Sequence, residues 1–166
     1  MMKTILKIFS VITILTSCNQ NADNTAELKT KIGNLEKQIN ESYKPGFGEF
    51  MSGIQIHHNK LWFAGQNENW KLAEFEINEI VEAIDDIKRF QSERKETQSI
   101  DMLNPVIVDI RTAIQVKDKS KFISSYNLLT ITCNNCHKQN DFEFNVIITP
   151  ETPAFSNQSF STTQRK

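Results

Sequence analysis

The chain reads as all-α, and three features of it carry that reading. All five glycines (33, 46, 48, 53 and 65) lie within the first 65 positions, and Pro105 is the only proline between Pro45 and Pro150. Apolar residues recur at spacings of three and four through the long stretches between these breakers. An all-β sandwich or barrel would need turn residues every ~10 positions, and a phosphate cradle would need clustered glycines. Neither pattern is present. At 166 residues the chain has length for one core. The expected architecture is an antiparallel up-down-up-down four-helix bundle over 47–138, preceded by a spacer helix and followed by an extended tail over 139–166.

Residues 1–17 carry Lys3 and Lys7, then an apolar stretch from Phe9 to Leu15. That is the layout of an export signal, too short to cross a membrane as a mature helix. It ends in Leu15-Thr16-Ser17-Cys18, which resembles the lipobox of bacterial lipoproteins. The resemblance implies lipidation of Cys18 and a bacterial protein tethered to a membrane surface, facing the periplasm or the cell exterior. A plain signal peptide with an incidental cysteine is the simpler alternative.

Residues 18–46 form the lipidated N-terminus and the spacer. Leu28, Ile32, Leu35 and Ile39 repeat at helical spacing, with Asn24 or Thr25 placed as a cap and Glu27 able to complete it. The stripe spans fewer heptads than a convincing coiled coil, so a spacer packing on the body is expected. A small oligomerising coil, giving a dimer, is the alternative.

The first body helix is expected from about Phe47 to Ala64, with Met51, Ile54, His58, Leu61 and Trp62 along one stripe and a stop signal at Gly65-Gln66-Asn67. The second runs from about Asn69 to Gln91, with Ala73, Ile77, Ile80, Ile84 and Ile87 inside. Glu74, Glu76, Glu79, Glu82, Asp85 and Asp86 make its other side acidic. A polar loop is expected over 92–100, then a third helix with Asn104 as cap and Pro105 in its first turn. Asp118 caps the fourth, whose stripe is Phe122, Tyr126, Leu129, Cys133 and Cys136.

The chemistry lies at the end of that fourth helix, in Cys133-Asn134-Asn135-Cys136-His137. The spacing i, i+3, i+4 sends both thiols and the imidazole from one helical face. This is the pattern of covalent haem c attachment: two thioethers to the haem, with His137 on the iron. Rival readings need more than the chain supplies. A zinc site would call on His57 and His58, whose side chains leave a helix about 100° apart. A redox dithiol belongs at a helix start after a strand, whereas this motif ends a helix. A bare disulfide leaves His137 without a role.

A helical body with one such motif near the end of its last helix resembles the class II c-type cytochromes, the cytochrome c prime group and its low-spin relatives. The resemblance covers about residues 47–138, and its specific motif is 133–137. It implies one covalent haem, proximal coordination by His137, and either one-electron transfer or binding of small gases such as NO and CO at the other face. The spacer helix and the nearly thirty residues after His137 lie outside the family pattern. The stretch from His58 to Gly65, continued by Asn69-Trp70 and Leu72-Ala73, is also similar to a segment of small exported bacterial cytochrome-like proteins.

The distal iron ligand is left open. If the last helix runs antiparallel to the first, its end lies level with Met51, while His58 sits about 10 Å deeper at 1.5 Å per residue. In low-spin relatives a Met on the first helix takes this place, which implies Met51. His58 and an open distal face are the alternatives, and core packing is the bland role for Met51. For the paired histidines the bland reading is one exposed and one buried on a neighbouring helix.

Little in the chain suggests catalysis, since no serine or cysteine nucleophile has an identifiable base; a non-enzyme is expected. Net charge is −1, which argues against nucleic-acid binding. The acidic side of the second helix would suit a basic redox partner, or is simply a solvated face. In the tail, Phe142, Phe144, Val146 and Ile148 alternate with other residues, as expected of an extended segment shielding a haem edge. A haem-free envelope interaction module is the reading from a different class.

Overall fold

The computed structural model describes residues 24–39, 42 and 44–162. The expected export signal and Cys18 lie outside the described residues. Two units divide the chain, Met1–Lys44 and Pro45–Lys166. Among the described residues there is no strand, and no helix long and apolar enough to cross a membrane.

Helix α1 (24–39) belongs to the first unit. A Glu27–Lys31 ion pair of 2.7 Å supports it from outside, and the Ser42 hydroxyl closes its end on the Ile39 carbonyl at 2.6 Å. Its apolar stripe, Leu28, Ile32, Leu35 and Ile39, is 53–66% exposed. Local periodicity has made a helix there without giving it a core.

The second unit holds α2 (Phe47–Gln66), α3 (Trp70–Phe90), a 3₁₀ helix (Lys95–Leu103), α4 (Asn104–Gln115) and α5 (Lys119–Gln139). Each long helix packs on two others: α2 on α3 and α5, α4 on α3 and α5. The isoleucines of α3 anticipated as its inner face are all buried. Between α2 and α5 the contacts run in opposite order along the two segments. Gly65 meets Phe122, and His58 meets Tyr126 and Thr130; Met51 shares a cavity with Cys133 and Cys136.

Several local expectations are revised. α2 ends at Gln66, within the expected stop Gly65-Gln66-Asn67, but the left-handed residue is Glu68, at φ 54°, and not the glycine. Glycine is required at 65 because the Phe122 ring lies against its Cα, where any Cβ would collide. Lys119 Nζ then caps the Gln66 carbonyl at 2.7 Å. The expected loop over 92–100 is mostly 3₁₀ helix. Its three-residue repeat puts Ile100 and Leu103 on one face, and both are buried. Asn104 lies within the first turn of α4 and bonds Asp101 at 3.2 Å rather than capping. Asp118 does cap α5, accepting from Lys121 N at 3.0 Å.

Glu76, read as part of an acidic outer face, is 1% exposed. It stands beside Ala73, Ile77 and Ile80 on the buried side of α3 and accepts from His57 Nδ1 at 2.7 Å. The remaining Glu76 oxygen, Oε1, is buried without a partner.

Residues 140–162 form no regular structure but are tied down along their length. Asn134 on α5 bonds both the N–H and the carbonyl of Ile147 at 2.8 Å. Asn59 on α2 repeats the device, donating to Thr152 O at 3.1 Å and accepting from Ala154 N at 2.8 Å. Asn69 donates to the carbonyl of Phe160, whose side chain is buried beside Phe63. The expected alternation slips, because a turn bonds Asn145 N to Phe142 O. Phe142 borders the cavity although it is 39% exposed, and beyond it Asn145 and Ile147 line the cavity. Phe144, Val146 and Ile148 are 79, 63 and 68% exposed.

Candidate functional site

A cavity of about 360 Å3 opens where the start of α2 meets the end of α5. Cys133, Cys136 and His137 line it from α5, as their one-face spacing requires. Met51 and His58 line it from α2, and Ile100 and Leu103 close it from the 3₁₀ helix. The site residues expected from the sequence within the described part of the chain thus share one cavity.

Both thiols are free. Burial pushes the Cys133 thiol up to about 12 and raises Cys136 as well. Burial thus disfavours the reactive thiolate that a redox dithiol needs. Among the described residues no three His, Cys, Asp or Glu side chains are grouped to hold a metal ion. A porphyrin brings its own four nitrogens and asks the protein for one axial base.

His137 has one ring nitrogen engaged by the backbone. Its Nδ1 lies 2.6 Å from the carbonyl of Asn145. A carbonyl only accepts, so Nδ1 carries the proton and Nε2 keeps its lone pair. The helix end beneath is closed by Asp141 in the left-handed region and by Phe142 N bonding the His137 carbonyl at 2.9 Å. Asn140 adds a bond to the Cys136 carbonyl at 2.8 Å.

His58 is committed elsewhere. Thr130 spends its only proton on the Tyr126 carbonyl, at 3.0 Å, so it accepts from His58 Nε2 at 2.9 Å. The single proton of the Tyr126 hydroxyl is shared between two acceptors of His58, Nδ1 at 2.9 Å and the backbone carbonyl at 3.0 Å, and the two rings stack 4.5 Å apart. Burial lowers the His58 pKa to about 4. Both nitrogens are occupied, and His58 has the structural role anticipated for one member of the pair. Met51 borders the cavity with no such tie.

At the rim Arg94 grips both Glu96 oxygens, at 2.6 and 3.2 Å, and holds that carboxyl below its usual range. Sequence reasoning passed over three contributors to the site: Asn134, the Asn145 carbonyl and the 3₁₀ helix. The one local signal was two asparagines, poor helix formers, inside a helical motif.

No family model matches this chain, and neither a curated protein nor a solved structure resembles it significantly.

Proposed function

We propose that this chain is an exported c-type cytochrome that carries single electrons through one covalent haem. Its four long helices then form an up-down-up-down bundle, the arrangement their pairwise packing and the reversed order of α2–α5 contacts support. Cys133 and Cys136 hold the haem by thioethers, and His137 Nε2 is the proximal ligand. Cys18 anchors the protein to a membrane through lipid. The haem supplies the redox couple; the chain binds it, excludes water from it and orients its axial base.

The observation that carries this reading is His137, with Nδ1 spent on a backbone carbonyl and Nε2 free at a cavity that two neutral thiols also line. Outer bonds of this kind orient metal-binding imidazoles and raise their basicity.

The visible spectrum of the full chain tests it, recorded oxidised and dithionite-reduced after expression in cells able to attach haem c. Sharp α and β bands on reduction are expected, from a six-coordinate iron. Cys133→Ala or Cys136→Ala should each leave no more than a single-thioether product, and together should abolish covalent haem. No Soret band from wild type would overturn the reading in favour of an interaction module displaying α1. The engagement of His58 favours one second reading: with that ligand removed, only Met51 stands between electron transfer and an open face for NO or CO. A broad, high-spin reduced spectrum would select gas binding.

A further inference from the structure

We propose that Asn134 is a positioning residue for the haem ligand His137, acting through the tail it clamps and thereby setting the reduction potential. The inference rests on the haem reading above and goes beyond it, to a residue that contacts neither haem nor iron in that scheme.

A carboxamide offers one donor and one acceptor in a single plane. Asn134 uses both on one residue, Ile147, at 2.8 Å each. That two-point contact fixes the position and the rotation of the tail at 147. Two residues earlier the same segment presents the Asn145 carbonyl to His137 Nδ1 at 2.6 Å, shorter than the usual ~2.9 Å. Asn134 and His137 are three apart on α5, so the clamp and the imidazole lie on neighbouring sides of one helical turn. The turn from Phe142 to Asn145 completes the loop, with Asn145 N on Phe142 O at 2.9 Å and Phe142 N on His137 O at 2.9 Å. The carbonyl is therefore aimed from two sides, one of which is Asn134.

A firm Nδ1–H bond makes the imidazole a stronger donor and favours the ferric state. Releasing the clamp weakens that bond and should raise the potential. The molecule contains its own control in Asn59, which grips the same tail in the same two-point manner at Thr152 and Ala154. That clamp is remote from His137, so cutting it loosens the tail without touching the imidazole.

The test compares the midpoint potentials of the haem-loaded full-length wild type, Asn134→Ala and Asn59→Ala by spectroelectrochemical titration. Haem content of each is checked as the pyridine haemochrome. For Asn134→Ala, the ferrous-to-ferric ratio at a fixed potential should rise roughly tenfold, about 59 mV for one electron. Asn59→Ala should keep the wild-type value. Equal potentials in Asn134→Ala and wild type would overturn the inference, as would an equal shift in Asn59→Ala. A second measurement needs no variant: in the reduced wild type the His137 Nδ1 proton should exchange slowly with solvent by NMR, and fast exchange would overturn the inference too. A wild type lacking haem overturns the proposed function and this inference with it, an outcome the haemochrome distinguishes from the others.

Discussion

The two halves of α2 face different surroundings. Its C-terminal half meets solid aromatic packing: Gly65 lies under the Phe122 ring, Trp70 stands edge-on to Phe122, and Trp62 and Tyr126 are 4.8 Å apart. Leu61, Ala64, Phe122 and Tyr126 are fully buried there. The N-terminal half, from Phe47 to Ile54, borders a cavity of about 360 Å3. Interiors close-pack, so one half has its complement of side chains while the other is short of volume. A bulky apolar group is what the second half lacks, as the haem proposal requires. Close packing and open cavity are thus divided along a single helix.

The largest effect is expected at the packed half. Phe122→Ala should cost ~3–5 kcal/mol, read by urea denaturation, since a fully buried ring leaves a cavity its neighbours cannot fill. A loss below ~1 kcal/mol would mean that this half is no better filled than the other.

Next comes the boundary between the halves, where His58 is buried neutral. Its pKa is about 4 folded against 6.5 unfolded. Between those values the unfolded chain binds the extra proton. Stability is therefore complete above pH 6.5 and falls by up to about 3 kcal/mol as the pH drops to 4. His58→Gln should flatten that part of the pH–stability curve; an unchanged slope would assign it to other groups.

Gly65→Ala should cost ~1–3 kcal/mol, because its new Cβ meets the Phe122 ring. The same change at Gly53, twelve residues earlier in α2, meets nothing within 4 Å. It should stabilise by ~0.5–1 kcal/mol through helix propensity alone. Thermal melts of the two variants should move in opposite directions, and movement in the same direction would remove the distinction between the halves.

Much of the local structure was legible. Asp118 caps α5, Pro105 opens α4, and the isoleucines of α3 are buried, because caps and periodicity act within a turn or two of their own residues. The convergence of Cys133, Cys136 and His137 follows from helix geometry alone. Burial was less readable. The stripe of α1 is as regular as that of α3, yet one is exposed and the other forms core. Periodicity says which side of a helix is apolar and nothing of what covers it. Glu76 shows the converse, a carboxylate drawn inside by a histidine nineteen positions away.

Helix positions, their caps and the one-sided array of two thiols and an imidazole are properties of short stretches of chain, set by backbone geometry within a few residues. Other features depend on partners far along the chain. The ring nitrogens of His58 are occupied from positions 68 and 72 residues away, and the two clamps of the tail span 13 and more than 90. The phase of the tail, the tautomer of His137 and the hydrogen bonds of His58 arise there. Hydrogen bonds between a side chain and a remote backbone leave no periodic trace in composition, and they form only when packing has brought the segments together.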